Sequence, residues 1–138
     1  MKKIVTFLIL IVSLSSSAQD ASHDLIVKIE NVKSSSGKIR VGLYDCEEKF
    51  LKEAIQGSDI QAGEGLLIVT FKGLKRGEYA VSLFHDENKN GKLDSNFIGI
   101  PTEPYAFSNN AKGMFGPPDF KECRFEVKEG NIEITIRL

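Results

Sequence analysis

A ten-residue stretch at 85–94 carries the side chains best suited to chemistry, because carboxylate and amide oxygens recur in it at every second position. Its sequence is His-Asp-Glu-Asn-Lys-Asn-Gly-Lys-Leu-Asp. This spacing resembles an EF-hand calcium loop, in which oxygen ligands at alternate positions converge on one ion and a glycine permits the sharp turn. The predicted calcium ligands are four side chains and one main-chain carbonyl, from Asp86, Asn88, Asn90, Lys92 (the carbonyl) and Asp94.

The stretch departs from the calcium pattern at its end, where Phe97 stands in place of the bidentate glutamate. Only Asp86 and Asp94 bring formal charge, so a site needs further oxygens from water or a nearby glutamate, and we expect weak, millimolar binding. A metal-free turn is the alternative, because the Asn-Gly pair at 90–91 favours a type I′ turn and Asx side chains stabilise turns without an ion. The sequence leaves both open, and calcium is the one cofactor it predicts.

Catalysis is a second hypothesis for this stretch, as a hydrolase-type acid–base group of His85 with Asp86, Glu87 or Glu103. Such chemistry needs polar groups with perturbed pKa values in a pocket, and carboxylates on a solvated loop rarely meet that condition. The serines stand in no nucleophile-elbow motif, and His85 has no zinc-ligand spacing to a cysteine or a second histidine. We therefore expect a protein that is not an enzyme.

The segment from 97 to 120 is rich in glycine, proline and asparagine, yet it carries aromatic residues that need an explanation. Either these side chains fold inward and cap one end of the domain, or some stay exposed as a ligand-facing surface. Capping is favoured, since four aromatics exposed together would promote aggregation. The four are Tyr105, Phe107, Phe115 and Phe120, of which the first three are the predicted ligand-binding residues.

Alternating apolar and polar residues predict the strands that position these segments. A helical spacing at 47–55 predicts a short helix or a helical turn that crosses between strands. The last apolar run is expected to pair with 123–127 as a hairpin. About seven short strands, one short helix and a long loop near 86–120 indicate an all-β antiparallel sandwich. Loops of that length are uncommon unless functional or disordered. The strand runs are 25–30, 39–44, 66–71, 79–84, 123–127 and 132–138.

The first 18 residues have the parts of an export signal: two lysines, an apolar run from Ile4 to Leu14, and small residues ending at Ala18. The run is shorter than the roughly 20 residues of a membrane-spanning helix. We therefore expect a signal peptide at 1–18, a single domain at 19–138 without a transmembrane segment, and a periplasmic or secreted location. The leader holds two of the 18 basic residues and none of the 19 acidic ones, so the domain is mildly acidic and no nucleic-acid partner is expected.

Two cysteines, Cys46 and Cys123, remain in the domain. An exported protein can keep a Cys46–Cys123 disulfide, and closing so long a loop would stabilise the fold by about 4–5 kcal/mol in a chain-entropy estimate. Two buried free thiols are the alternative. The bridge is favoured, although spacing alone does not fix the geometry.

Motifs across nearly the whole domain are similar to those of a bacterial family, domain of unknown function 2141. The likeness covers residues 25 to 138 and implies an exported single-domain protein with no assigned activity. The segment 77–81 also has a looser likeness to transthyretin-like and carboxypeptidase regulatory-like sandwiches, which are structural or binding domains. The two cysteines lie outside the pattern of the 2141 family. The motifs are Gly-Glu-Tyr-Ala-Val at 77–81, the stretch at 85–94, Gly-Ile-Pro at 99–101 with Glu103, Phe-Ser-Asn-Asn at 107–110 and Pro-Pro-Asp-Phe at 117–120.

These observations predict an exported binding or structural module of the bacterial cell envelope, folded as a transthyretin-like or immunoglobulin-like sandwich. Its working surface is expected to be the 86–120 segment, because a rigid β scaffold that presents one long loop is a common design for recognition. The expected partner is an envelope glycan, a peptide or another envelope protein, and the sequence does not choose among them.

Overall fold

The structure, a computed structural model, describes residues 21–138, so the predicted signal peptide at 1–18 lies outside the described residues. The described chain forms eight strands, one short α-helix and two 3₁₀ segments. No helix in this part of the chain is long and apolar enough to cross a membrane. The helix is α1 (Phe120–Cys123), and the 3₁₀ segments are Glu47–Lys49 and Ser108–Asn110. The strands are β1 (His23–Val32), β2 (Lys38–Tyr44), β3 (Gln56–Gln61), β4 (Gly65–Leu74), β5 (Gly77–Asp86), β6 (Tyr105–Phe107), β7 (Phe125–Val127) and β8 (Ile132–Arg137).

The strands form two sheets, which confirms the predicted all-β sandwich. One sheet has the order β4–β1–β8, in which β1 runs antiparallel to β4 and parallel to β8. The other has the order β3–β2–β5–β6, and β7 also pairs with β5. On one side of β5, β7 pairs with residues 77–79 and β6 with residues 82–84. Strand β5 is therefore central to the five-stranded sheet.

The main core forms from alternate side chains of both sheets. In β1, Leu25, Val27 and Ile29 are completely buried, while the residues between them are half-buried. In β2, Ile39 and Leu43 are completely buried in the same alternating pattern. Because burying one such side chain stabilises a fold by about 1.5–3 kcal/mol, the pattern fixes which face of each strand points inward and therefore its register.

A second apolar cluster covers the other face of the five-stranded sheet. Neighbouring residues on a strand point to opposite faces, and Val81 lies in the main core whereas Ala80 lies in the second cluster. The Phe50 ring packs edge-on against Tyr44 and Phe120, with centroids 5.3 and 5.7 Å apart. Strand β5 is thus buried on both faces. The second cluster consists of Tyr44, Phe50, Ala80, Phe107, Phe120 and Cys123.

Of the short helix or helical turn predicted at 47–55, the structure has only the turn. Only Glu47–Lys49 is helical, as a 3₁₀ segment, and Leu51 has a positive φ of 60°, which a continuing helix does not tolerate. The chain then enters β3, an edge strand that the sequence did not predict. Its sequence, Gln-Gly-Ser-Asp-Ile-Gln, has almost no apolar alternation, so its pairing with β2 defines it.

The predicted hairpin between 123–127 and 132–138 is also wrong. Strand β7 pairs with β5, while β8 lies parallel to β1 in the other sheet. The turn at 128–131 therefore carries the chain between sheets, and the sandwich has one parallel strand pair. The long loop near 86–120 is present but interrupted, because Tyr105–Phe107 forms β6 beside β5.

The predicted Cys46–Cys123 disulfide is absent from the structure, in which both residues are free thiols. Cys46 follows β2 and begins the 3₁₀ segment, whereas Cys123 is fully buried at the end of α1. Burial raises the pKa of the Cys123 thiol to about 11. Cys123 therefore behaves as a small apolar side chain of the second cluster.

Candidate functional site

The turn after β5 is built around Asp86, whose side chain is completely buried. Its Oδ1 accepts a hydrogen bond from the Asn90 backbone N–H at 3.0 Å, and its Oδ2 accepts one from Gly91 at 2.9 Å. Arg40 donates to the same Oδ2 through Nε at 2.7 Å. Strand register explains this contact, since Arg40 pairs with Phe84 and Asp86 is the next residue on that face.

The Arg40 guanidinium supplies the positive charge that faces Asp86. Its Nη1 also donates to Asp59 of β3 at 2.6 Å, so Arg40 links three adjacent strands. Burial alone would raise the pKa of the Asp86 carboxyl, but the Arg40 bond and the two backbone donors together hold that pKa below its ordinary value. Asp86 is therefore an ionised carboxylate that anchors the turn.

Glu103 holds the same turn from the other side. Its carboxylate is buried, with 7% of the residue exposed. Oε1 accepts the Glu87 backbone N–H at 2.9 Å, and Oε2 accepts the Asp94 backbone N–H at 3.0 Å. One side chain thus ties together the two ends of the 87–94 stretch. Charge-assisted bonds of this kind are stronger than neutral ones, so the turn is held in a fixed shape.

The structure brings together three of the five predicted calcium ligands. The Asn88 amide donates to Asp94 Oδ2 at 2.6 Å, and the Asn90 amide donates to both Asp94 oxygens at 2.8 and 3.0 Å. Asp86 instead faces Arg40, and Lys92 donates its backbone N–H to Asn90 Oδ1. No group of three or more acidic, histidine or cysteine side chains within residues 21–138 is arranged to hold a metal ion. Calcium binding here stays a prediction.

His85, the centre of the hydrolase hypothesis, is buried with 2% of the residue exposed. Its Nε2 lies 2.6 Å from the Ser36 carbonyl oxygen, so this nitrogen carries the proton. Its Nδ1 is 4.0 Å from a Glu87 carboxylate oxygen. The ring thus holds the turn between β1 and β2 in place, and it lines neither of the cavities described below.

An apolar groove of about 340 Å³ lies beside this turn. Side chains from β2, β5 and β6 line it on one side, and the loops around residues 93–101 and 116–117 line it on the other. Tyr105 also borders a second cavity of about 600 Å³ that includes Lys112 and Arg137. The groove residues are Tyr44, Leu51, Ser82, Leu83, Phe84, Leu93, Gly99, Pro101, Tyr105, Phe107, Gly116 and Pro117.

The three predicted ligand-binding aromatics occupy different positions around the groove. Tyr105 lines it with 43% of the residue exposed, and the buried Phe107 packs edge-on against Tyr105 with ring centroids 5.9 Å apart. Phe115 is fully exposed next to the groove residues Gly116 and Pro117. The expected capping is therefore right for Phe107 and for Phe120, which is also buried, and wrong for Tyr105 and Phe115.

Seven exposed apolar residues lie on the loops that line the groove and on β6, and we refer to them together as the apolar face. Phe97 and Phe115 expose 99% and 100% of their surface, and Met114 exposes 89%. All seven belong to the segment that the sequence marked as the working surface. The apolar face consists of Leu93, Phe97, Ile98, Ile100, Tyr105, Met114 and Phe115.

Hydrogen bonds and tight turns give the two loop tips of the apolar face a defined shape. Asn96 Oδ1 accepts the backbone N–H groups of Ile98 and Ile100 at 3.1 and 2.9 Å, and Gly99 adopts the positive φ of 86° that this turn needs. In the second loop, a Cβ on Gly113 would collide with the Gly116 carbonyl oxygen, so the chain turns tightly around Met114 and Phe115. Both tips are therefore held by local geometry.

Comparison with known families agrees with the motifs. The family DUF2141, described as an uncharacterized protein conserved in bacteria, matches residues 27–135. The chain belongs to this family. No curated protein and no solved structure shows significant similarity to it. The matched span includes the Asp86 turn, the groove and the apolar face, so all the candidate features of this DUF2141 chain lie inside the family domain.

Sequence reasoning missed one residue that organises the site of this DUF2141 chain, namely Arg40. It lies in a strand far from the turn in sequence, and only the β2–β5 register brings it to Asp86. The one available signal was an arginine within an alternating strand that also carries buried apolar residues. In the sequence, Glu103 was considered only as a candidate acid–base group or as a nearby glutamate that could complete a calcium site, and the structure places it beside the turn as an acceptor for backbone N–H groups.

Proposed function

We propose that this chain is an exported, non-enzymatic binding module of the bacterial cell envelope, and that the groove with its apolar face is the recognition surface. The observation that carries the proposal is the set of exposed side chains on two shaped loops beside an apolar groove. A monomeric soluble protein rarely exposes a large contiguous apolar patch unless that patch binds something.

The hydrogen bonds of the turn support this role because they fix the loops before a ligand arrives. Asp86, Glu103 and Asn96 each accept two or more hydrogen bonds from the segment. A surface that is already ordered does not lose loop entropy on binding, which improves affinity. Two buried carboxylates that accept backbone N–H groups of a single loop favour a functional reason for its shape.

The lining of the groove favours an apolar ligand group over a glycan. Tyr44, Leu83, Phe84, Leu93 and Tyr105 present mainly carbon surface to it. Small-ligand sites of comparable volume are largely apolar with a few polar groups for orientation. Of the predicted partners, a peptide or envelope component that inserts an apolar group fits this lining best.

The position of His85 supports a non-enzymatic role. A general base must reach the proton that it removes, directly or through one water. The His85 ring is buried, its Nε2 is bound to a main-chain carbonyl and its Nδ1 faces Glu87 away from the groove lining. The hydrolase alternative would therefore require the turn to open.

A fluorescent apolar probe, anilinonaphthalene sulfonate, tests the recognition surface directly. We expect the exported protein to bind it, and Leu93→Ala or Tyr105→Ala to weaken binding by about threefold or more, since each removes apolar contact. Leu66→Ala is the matched control, because Leu66 is 52% exposed on β4 away from the groove. Cooperative melting of each variant checks that it is folded. Equal probe binding by all four proteins, or retention of the chain in the cytoplasm on fractionation, would contradict the proposal.

A further inference from the structure

Exposed apolar residues are concentrated in one segment of the described chain. Of the eleven large hydrophobic residues that are exposed within residues 21–138, seven lie between 93 and 115. Two of the others, Leu66 and Ile68, lie on β4, and the remaining two, Leu51 and Ile55, lie between β2 and β3. The surface of the domain is therefore apolar mainly at one place.

The most exposed of these side chains project from loop tips. Phe97, Met114 and Phe115 have almost their entire surface open to solvent. Two loops that line the groove carry them, since Gly99 and Gly116 both belong to its lining. Aromatic and aliphatic side chains that project in this way can enter the boundary between lipid headgroups and acyl chains, where aromatic rings are favoured.

The exposed charged residues between residues 88 and 117 are all lysines, whereas exposed acidic residues, among them Glu87 and Asp119, lie just outside this range. These lysines are Lys89, Lys92 and Lys112. The two acidic residues in that range are bound within the protein. Glu103 is buried and accepts two backbone N–H groups, and the half-buried Asp94 accepts hydrogen bonds from side-chain amides of neighbouring residues. With three lysines and two carboxylates, residues 88–117 carry a formal net charge of +1, whereas the whole chain carries −1. Lysines beside apolar tips complement an anionic lipid surface.

We propose that the apolar face docks this protein onto an anionic lipid bilayer, with the side chains of the two loop tips inserted and the three lysines among the headgroups. This inference rests on the proposed function, and it names the partner class of the same surface. The fixed shape of both tips favours insertion, because no loop has to become ordered at the membrane. The groove between the tips then faces the bilayer and can receive part of a lipid.

Flotation with lipid vesicles tests the proposal. The protein is purified after export, and intact mass is measured to check that the parent and every variant begin at the same N-terminal residue. With vesicles of phosphatidylcholine containing about one quarter phosphatidylglycerol, we expect the parent protein to float. Binding should fall in about 0.5 M salt, which screens the lysines. The Phe97→Ser/Phe115→Ser variant should bind at least about tenfold more weakly, because two inserted rings are lost.

Two further variants separate the contributions. Leu66→Ser/Ile68→Ser removes two apolar residues that are 52% and 54% exposed outside the apolar face, and it should float like the parent. Replacing Lys89, Lys92 and Lys112 by glutamine should weaken binding to the anionic vesicles and leave binding of an uncharged apolar probe, Nile red, unchanged. Circular dichroism confirms that each variant keeps its β structure.

The proposal is overturned if the parent does not float with anionic vesicles, or if the β4 variant loses as much binding as the phenylalanine variant. It is also overturned if the phenylalanine variant only changes the oligomeric state in solution, since the face would then join two copies of the chain. Absence of vesicle binding together with intact export and probe binding rejects lipid as the partner and leaves the proposed function standing. Loss of specific probe binding rejects both.

Discussion

Replacing Glu103 by glutamine should loosen the turn that supports the apolar face. The side chain keeps its size but changes its hydrogen-bonding capacity, since an amide has one oxygen and one donor group. Two backbone N–H groups, from Glu87 and Asp94, now point at two carboxylate oxygens at 2.9 and 3.0 Å. In the variant, one of them meets an NH₂ group and loses its acceptor.

The size of the effect follows from burial of this carboxylate. A buried donor left without an acceptor lowers the free energy of unfolding by about 1–3 kcal/mol. The remaining hydrogen bond loses its ionic character, which lowers it by about 1 kcal/mol more. The sum is roughly 2–4 kcal/mol, provided that the turn unfolds together with the domain. For a domain of this size, that corresponds to a decrease in Tm of about 10 °C.

Thermal melting by circular dichroism, paired with limited proteolysis, measures this effect. Glu87→Gln is the matched control, because the same chemical change occurs on a half-exposed side chain next to the turn, 48% accessible, and a surface change of this kind is worth within about 0.5 kcal/mol. If the turn opens locally, the Tm falls less and cleavage between residues 87 and 102 increases instead. Equal Tm and equal protease resistance for the Glu103→Gln and Glu87→Gln variants would refute the conclusion that the Glu103 carboxylate stabilises the turn.

Three further predictions concern acid, calcium and thiols. The folded pKa of Asp86 lies below its ordinary value of 3.8, so the stabilising effect of this carboxylate is present above that value and is lost as the pH falls through the folded pKa. Asp86→Asn should therefore unfold at a lower urea concentration than the parent at pH near 7, and the difference should shrink in acid. A difference that stays constant with pH would contradict this role of Asp86. Calcium at about tenfold excess over a millimolar Kd should stabilise the parent by about 1.4 kcal/mol in a melting assay; an identical shift in Asp94→Asn would exclude the loop as the site. A maleimide at neutral pH should label half-buried Cys46 in the native protein and leave Cys123, whose thiol pKa is about 11, unlabelled; labelling of both at equal rates would disprove the burial.

Local patterns were sufficient to predict most of the strands whose side chains enter the core, and β6, which contributes Ala106, is the exception. Strands β1 and β2 alternate buried and half-buried residues, so their period of two is visible in the sequence. Strand β3 is polar and lies at a sheet edge, where its backbone hydrogen bonds with β2 decide its conformation. Side-chain periodicity carries no information about such a strand.

Which strands pair with each other was harder to predict than where the strands lie in the sequence. The final run was correctly predicted as extended, yet its neighbour is β1, more than 100 residues earlier in the chain. A short turn before it favoured a hairpin on local grounds. Pairing with the edge of β1 in the other sheet is favoured over the hairpin, because in that position Ile136 becomes completely buried in the main core.

The candidate site shows the same division between local and tertiary information. The turn at 86–94 was recognisable from its Asx and glycine residues, whereas its charge partner Arg40 depends on sheet register. For the aromatic residues, Phe107 is buried because it packs against Phe50 in the second cluster, and Phe115 is exposed because it lies at a loop tip. Residue type alone does not separate these two environments.

Photo-crosslinking in intact cells tests the central claim most directly. A p-benzoylphenylalanine residue is placed at position 115, on the apolar face, and in a second variant at position 66, which is exposed on β4. The account predicts that irradiation links position 115, and not position 66, to an envelope component that is then identified as lipid, glycan or protein. No crosslink at position 115, or equal crosslinking at both positions, would contradict the claim that this face is the recognition surface of an exported protein.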